Sequence, residues 1–355
     1  MENIKSPVEY VLYGNYIKYD KMSSMVEENF KGSSANTVNI FIDVYSVIKD
    51  LYICETFTKE NQLQMSSSLI NLCAHMRYFF RNRYRVESKI FLVYSENVSE
   101  YNKKMWYGYN SLHERTLKRN NETGTLININ VEILDLLIPY LPDIYFLRTD
   151  FESGVLMYDI MCHNESIGNN YPNIILTTDP YLFQMVGIVK DTCIFRPKKY
   201  RSEDLSFVVN SENLLSTMFH IRNVSEPDFI GEMNPGLCSL FMTLSRCPER
   251  SIKSFFNLPK AFNIIYSGVS EHKILNGYNS NTENIWNSLY KAEFDKYTYD
   301  MFDRRFRVID ILSQYLVYLN TNYGKVKLMN LVDPDTVKNI NNEYFKKFPL
   351  DLNRL

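Results

Sequence analysis

Short apolar runs alternating with segments of helical spacing are what most constrain the fold of this chain. The first run, Val38-Asn39-Ile40-Phe41-Ile42-Asp43-Val44, is apolar and β-branched until a single acid appears near its end. Lys89 to Tyr94, Ile144 to Leu147, Asn173 to Thr178 and Cys193 to Phe195 have the same character. Near-continuous apolar runs of this length are the signature of strands buried on both faces. Between them, Met65 to Arg81 places Leu69, Ile70, Leu72, Cys73, Met76, Phe79 and Phe80 on one broad helical face. Val131 to Tyr140, stopped near Pro139 and Pro142, and Phe151 to His163 also read as helices. The alternation predicts an α/β fold, with a mostly parallel central sheet flanked by helices. After about residue 209 helical spacing takes over, most clearly in Arg304 to Leu319, predicted as one amphipathic helix.

Composition narrows the function classes. The 355 residues are 45% hydrophobic and 23% charged, enough for one large or two smaller cores. The net charge of −2 rules out binding nucleic acid through overall charge, so any such surface must be a local basic patch. Six cysteines contain no C-x-x-C pair and the five histidines are scattered, so zinc-site spacing is absent. Most of these cysteines lie in apolar runs, as reduced core thiols of a cytoplasmic protein would. The first residues open neither a signal nor a transit peptide, and no run reaches the ~20 apolar residues of a membrane span. Richness in Asn, Lys, Ile and Tyr is the bias of an AT-rich coding genome, such as that of a virus, a phage or a low-GC bacterium.

Acids mark the ends of the predicted strands. Asp43 closes the first, the Asp150/Glu152 pair follows the third, and Asp179 follows the fourth. In a parallel sheet these ends share one edge, where a carboxylate cluster can hold Mg²⁺ for phosphodiester hydrolysis. A single acid at such a place more often caps a helix, accepting backbone N–H bonds at its start. Three in order on successive strands shift the reading toward a site, or the remnant of one.

The order of these elements resembles the 5′-nuclease family: flap endonucleases, phage RNase H-type exonucleases and polymerase-associated 5′–3′ exonucleases, relatives of the PIN-domain nucleases. The carrying segments are Phe41-Ile42-Asp43, then Leu92-Val93-Tyr94-Ser95-Glu96. Tyr101-Asn102-Lys103-Lys104-Met105-Trp106-Tyr107-Gly108-Tyr109 stands where that family has a basic helical gateway. Phe151-Glu152-Ser153-Gly154-Val155 matches its acidic helix start, and Ile175 to Val186 its Asp-x-Asp element. Phe229 to Gly236, running on to Ile252, matches its helix–hairpin–helix region. The resemblance covers roughly residues 38 to 257. It implies an α/β nuclease-like domain over 38–208 and a degenerate helix–hairpin–helix-like region over 209–257; the polar, irregular residues 1–37 read as an N-terminal arm, and the helical spacing of the remainder as a helical extension over 258–355. The resemblance also implies Asp43, Glu152 and Asp179 as ligands of Mg²⁺ or Mn²⁺.

The departures from that pattern fall on the chemistry. Ser95, Gly154, Val155 and Tyr181 stand where the resemblance implies acids, and Glu232 replaces the Asp near the hairpin. Two ions about 3.5–4 Å apart each need their own ligands, and three carboxylates suit one ion with several waters better than two. Glu96 and Asp150 are the alternates, although a one-residue slip at a strand end reverses which way a side chain points.

Candidate nucleic-acid contacts fall in three groups. Lys103 and Lys104, beside Trp106 and Tyr107, combine charge with stacking surface as single-strand binders do. The plainer reading is an aromatic core helix with a solvated lysine pair. Lys198, Lys199 and Arg201 follow the fifth strand, where a solvated loop is the ordinary alternative. Arg246, Arg250 and Lys253 offer charge in the hairpin region, which lacks glycine from Leu244 to Arg250. Arg77, Arg81, Arg83 and Arg85 bracket a helix end, where dipole complementarity alone accounts for them. The tail Phe348 to Asn353 faintly resembles sliding-clamp docking peptides, against the plainer reading of a packed C-terminus.

The expected function is a catalytically degenerate 5′-nuclease-like protein. It would bind nucleic acid, DNA foremost and flapped or single-stranded, or a replication or transcription protein, in host cytoplasm or a virion and away from membranes. The alternatives are an active Mg²⁺-dependent 5′–3′ exonuclease or flap nuclease, and a structural protein that kept the fold.

Overall fold

The computed structural model describes residues 36–47, 62–95, 100–106, 141–196 and 307–320, with 134, 138, 207–209 and 304; of 62–68, 180 and 207–209 it describes the backbone alone. Among the described residues, six strands form one sheet: β1 (Thr37–Asp43), β2 (Glu87–Ser95), β3 (Ile144–Thr149), β4 (Asn173–Leu176), β5 (Thr192–Arg196) and β6 (Phe207–Val209). Their order is β3-β2-β1-β4-β5-β6. The first five run parallel, and β6 pairs antiparallel with β5 at the edge. This is the mostly parallel sheet that the apolar runs predict. The three-residue β6 has too little sequence for a pattern to show.

β1 lies centrally, and its Ile40, Phe41 and Ile42 are fully buried. Register places Phe41 opposite Phe91, and Phe91 opposite Tyr145. Their rings stack in a ladder across three strands, with centroids 4.8 Å and 5.0 Å apart. Cross-strand aromatic pairs of this kind pin register, and register here decides which way Asp43 points. The strand stops at Asp43, and the backbone turns helical over 44–47 rather than extending through Val44.

The first long helix, α1 (Gln62–Tyr84), packs against β2 and exceeds its predicted span at both ends. Arg77 on this helix is buried, donating to the Pro142 carbonyl and to Asp143 Oδ2 (3.2 Å). Arg77 is therefore a structural tie. Arg81 forms an exposed pair with Glu87 (3.5 Å), of a kind worth little to stability. A short helix, α2 (Glu100–Met105), follows β2, and α3 (Ser153–Ser166) follows β3. The predicted helix over 131–140 lies outside the described residues except for Leu134 and Ile138, both buried. Beyond β4 come a 3₁₀ turn (Pro180–Gln184) and α4 (Met185–Ile188).

The predicted single helix over Arg304 to Leu319 is interrupted. Residues 307–309 are helical, Asp310 is not, and α5 spans Ile311–Asn320. The cause is a cap. Asp310 Oδ2 accepts the Ser313 amide (2.8 Å) and the Ser313 hydroxyl (2.6 Å), which starts a new helix. Helix α5 then docks on α3. Tyr315 and Tyr318 donate their hydroxyls to the two oxygens of Asp159 (3.0 and 3.1 Å). The Tyr318 ring meets Phe151 edge-on at 5.5 Å. Asp159→Asn should lower stability by about 1–3 kcal/mol through the lost charge-assisted bonds, read as a shift in the urea midpoint at constant slope. No described helix is long and apolar enough to cross a membrane.

Candidate functional site

The strand order itself locates a crevice. From β1 the chain builds outward through β2 and β3, then returns to the other side of β1 for β4 and β5. The reversal lies between β1 and β4. In open α/β sheets, ligands bind beyond the carboxyl ends of the strands at such a switch point. Asp43 ends β1 there, and Thr177-Thr178-Asp179 leave β4 beside it.

Asp43 is buried at 4% exposure, and both of its oxygens are engaged. Oδ2 accepts the Thr177 hydroxyl (3.0 Å) and Oδ1 accepts the Ser153 hydroxyl (3.4 Å). Ser46, one turn after Asp43, shares a hydrogen bond with the Thr178 hydroxyl (2.6 Å) and accepts the Thr178 amide. Hydroxyl groups thus line the crevice around one carboxylate. Sequence reasoning passed over Ser46, Ser153, Thr177 and Thr178. Their signal was available, since each lies within three residues of a flagged acid.

Burial raises the Asp43 pKa most, and repulsion from Asp179 adds to it. The Thr177 bond opposes the rise, Glu152 contributes further repulsion, and Ser153 opposes weakly, leaving Asp43 at about 7. Asp179 and Glu152 are therefore both close enough to Asp43 to act on it. Among the described residues, no lysine or arginine is an influence on Asp43. The neighbouring Tyr45 hydroxyl is paired with Tyr94 (3.1 Å), and burial pushes its pKa well up.

The other acids have distinct roles. Asp179 Oδ1 accepts the Tyr181 amide (3.1 Å), capping the 3₁₀ turn. Glu152 is buried and occupies the cap position of α3, but its side chain makes no cap bond. Asp150 is exposed and is not among the charges acting on Asp43. Ser95 turns its hydroxyl to the Phe151 carbonyl (2.7 Å), tying the end of β2 to the loop after β3. Glu96 lies outside the described residues.

The positions that would carry further acids are packed shut. A Cβ on Gly154 would meet Leu182 Cδ2 at 2.5 Å, Ile311 Cδ1 at 3.0 Å and Tyr181 Cε1 at 3.2 Å. Val155 and Tyr181 are themselves buried, Tyr181 with its hydroxyl accepting from Gln314 Nε2 (2.8 Å). Among the described residues, no group of three or more His, Cys, Asp or Glu is arranged to hold a metal ion. As they stand, with Asp43 accepting two hydroxyl bonds and Asp179 capping a turn through Oδ1, the described donors form no ready-made site for a directly coordinated divalent ion.

Of the candidate nucleic-acid contacts, Lys103 and Lys104 are exposed on the last turn of α2, and Trp106 follows half-buried. Lys103 pairs with Glu100 at 3.2 Å on the surface. Tyr107, Lys198, Lys199, Arg201, Arg246, Arg250 and Lys253 lie outside the described residues, as do the predicted hairpin region and the tail motif.

No protein-family model matches the sequence, and no curated protein matches it significantly. Solved structures are similar at low identity. A T5 5′-exonuclease is 11% identical with a TM-score of 0.43, over 79% of this chain and 89% of that one. A bacteriophage T5 flap endonuclease, in complex with DNA and metal ions, is 9% identical with a TM-score of 0.45, over 80% and 94%. Human GEN1 in complex with Holliday junction DNA is 12% identical with a TM-score of 0.41, over 91% and 70%. Likeness at this level assigns no activity.

Proposed function

We propose that this chain binds single-stranded or flapped nucleic acid, DNA foremost, without cleaving it, as a degenerate 5′-nuclease-like member of a replication or transcription complex, viral or phage. The observation that carries the reading is the environment of Asp43. Its carboxylate is held by Thr177 and Ser153 instead of standing open to an ion. Around it, Gly154, Val155 and Tyr181 are packed where further acids would be needed. The order of sequence motifs supports the 5′-nuclease comparison, and the exposed Lys103 and Lys104 beside Trp106 support nucleic acid as the ligand.

One observation favours the alternative of a working Mg²⁺- or Mn²⁺-dependent nuclease. Glu152 and Asp179 both repel the Asp43 carboxylate, and a cation would relieve that repulsion. That reading requires Asp43 to release its hydroxyl partners.

Purified protein incubated with labelled flap, nicked and single-stranded DNA, in Mg²⁺ or Mn²⁺, distinguishes the two. The expected result is binding that weakens steeply with salt and leaves the DNA intact. Lys103→Ala and Lys104→Ala should each weaken binding and flatten the log–log salt dependence by about 0.7, one phosphate contact on a single strand. Cleavage that disappears in Asp43→Ala would overturn the proposal in favour of the nuclease. Absence of binding at low salt would leave a protein partner or a structural role.

A further inference from the structure

The basic helix α2 does not stand alone on the surface. Between Lys103 and the body of the protein lies Asn102, fully buried, whose Nδ2 donates to Gln314 Oε1 on α5 (3.3 Å). The backbone of Asn102 also accepts the Trp106 amide (3.0 Å). The other end of the Gln314 side chain donates to the Tyr181 hydroxyl (2.8 Å) and the Val308 carbonyl (2.6 Å). Gln184, likewise fully buried, donates to the Tyr181 and Ile309 carbonyls (2.8 and 2.9 Å) and accepts the Ile311 amide (3.0 Å). Three buried amides therefore join α2, the turn after Asp179 and the start of α5 into one network.

Directional bonds between buried amides favour a unique arrangement where apolar contact alone would allow sliding. Only six residues long, α2 has little stability of its own. Its orientation must come from such ties. From this geometry we infer that Gln314 is a positioning residue: the C-terminal helix α5, through the Gln314–Asn102 bond, aims Lys103, Lys104 and Trp106 along the strand-end edge for nucleic-acid binding. The inference rests on the proposed nucleic-acid reading and assigns part of that function to a segment some 210 residues away in sequence.

The test is a double-mutant cycle on the full chain, with a labelled oligo(dT) as probe. Gln314→Met removes the bonds at nearly constant volume. Affinity should fall about fivefold, the size of one lost hydrogen bond, at a temperature where circular dichroism shows the variant folded. In the Lys103→Ala/Lys104→Ala background the same substitution should have no further effect, because the groups it positions are gone. Asn102→Ala, from the other end of the bond, should reproduce both results and serves if Gln314→Met does not fold. An equal loss in both backgrounds, or no loss in either, overturns the inference while leaving the binding reading intact. If the wild type does not bind oligo(dT) at low salt, the functional reading fails and the inference fails with it.

Discussion

Asp43→Asn is expected to make this protein more stable at pH 8, by about 4 kcal/mol, although it removes the most conspicuous acid of the candidate site. The carboxyl moves from an ordinary 3.8 to about 7 on folding, chiefly through burial and then through repulsion from Asp179. A raised carboxylate pKa means that the folded state holds a proton the unfolded state has released. Stability is then fully present below about pH 4 and is lost as pH rises toward 7. Three units at about 1.4 kcal/mol each give the magnitude. Asparagine mimics the protonated form: its Oδ1 can accept from Thr177, and its amide can donate to the Ser153 hydroxyl, which rotates to receive it. The advantage of the variant over wild type should shrink below about 1 kcal/mol at pH 4, measured as urea midpoints across the range. Equal stability of the two proteins at pH 8 would show that Asp43 is not strained by its neighbours. Stabilisation of the wild type alone by Mg²⁺ at pH 8 would instead support a cation at these acids, and with it the nuclease reading.

That expectation gives the strand-end acid a different meaning from the one its sequence position implies. An apolar run ending in Asp is easy to read, because strand burial and the period of the chain are local properties. The five parallel strands, and the arrival of Asp43, Glu152 and Asp179 at one edge, follow from that local pattern and the handedness of crossover connections. What local pattern cannot convey is what else reaches the same place. Thr177 and Ser153 bond Asp43 from 134 and 110 residues away. Ile311, which crowds Gly154, belongs to a helix whose sequence says only that one face is apolar. The helix break at Asp310 was locally encoded, since an Asp three residues before Ser313 is a cap signal, but the stronger apolar periodicity on both sides masked it.

Gly154→Asp, the substitution that would place an acid at the start of α3, is expected to destabilise the fold by more than about 4 kcal/mol. Two independent penalties act. A β-carbon alone would come within 2.5 Å of Leu182 Cδ2 and 3.0 Å of Ile311 Cδ1, the tips of two fully buried side chains that would have to shift. Overpacking of this kind costs about 1–3 kcal/mol, partly offset by the helix preference for alanine over glycine, so Gly154→Ala should itself be mildly destabilising. The aspartate then buries a charge among Leu182, Ile311 and Tyr181, a penalty of several kcal/mol for an unpaired buried ion. Pairing each substitution with Leu182→Ala separates the terms. The Gly154→Ala penalty should largely vanish in that background, because the cavity receives the methyl group. The Gly154→Asp penalty should shrink only by its steric part, and its remainder should fall as pH is lowered, since a protonated aspartic acid carries no charge. A Gly154→Asp protein as stable as the wild type at pH 8 would show that the crevice has room and tolerance for a further acid. The close approach of Leu182 and Ile311 to Gly154 would then not be what bars an acid from that position.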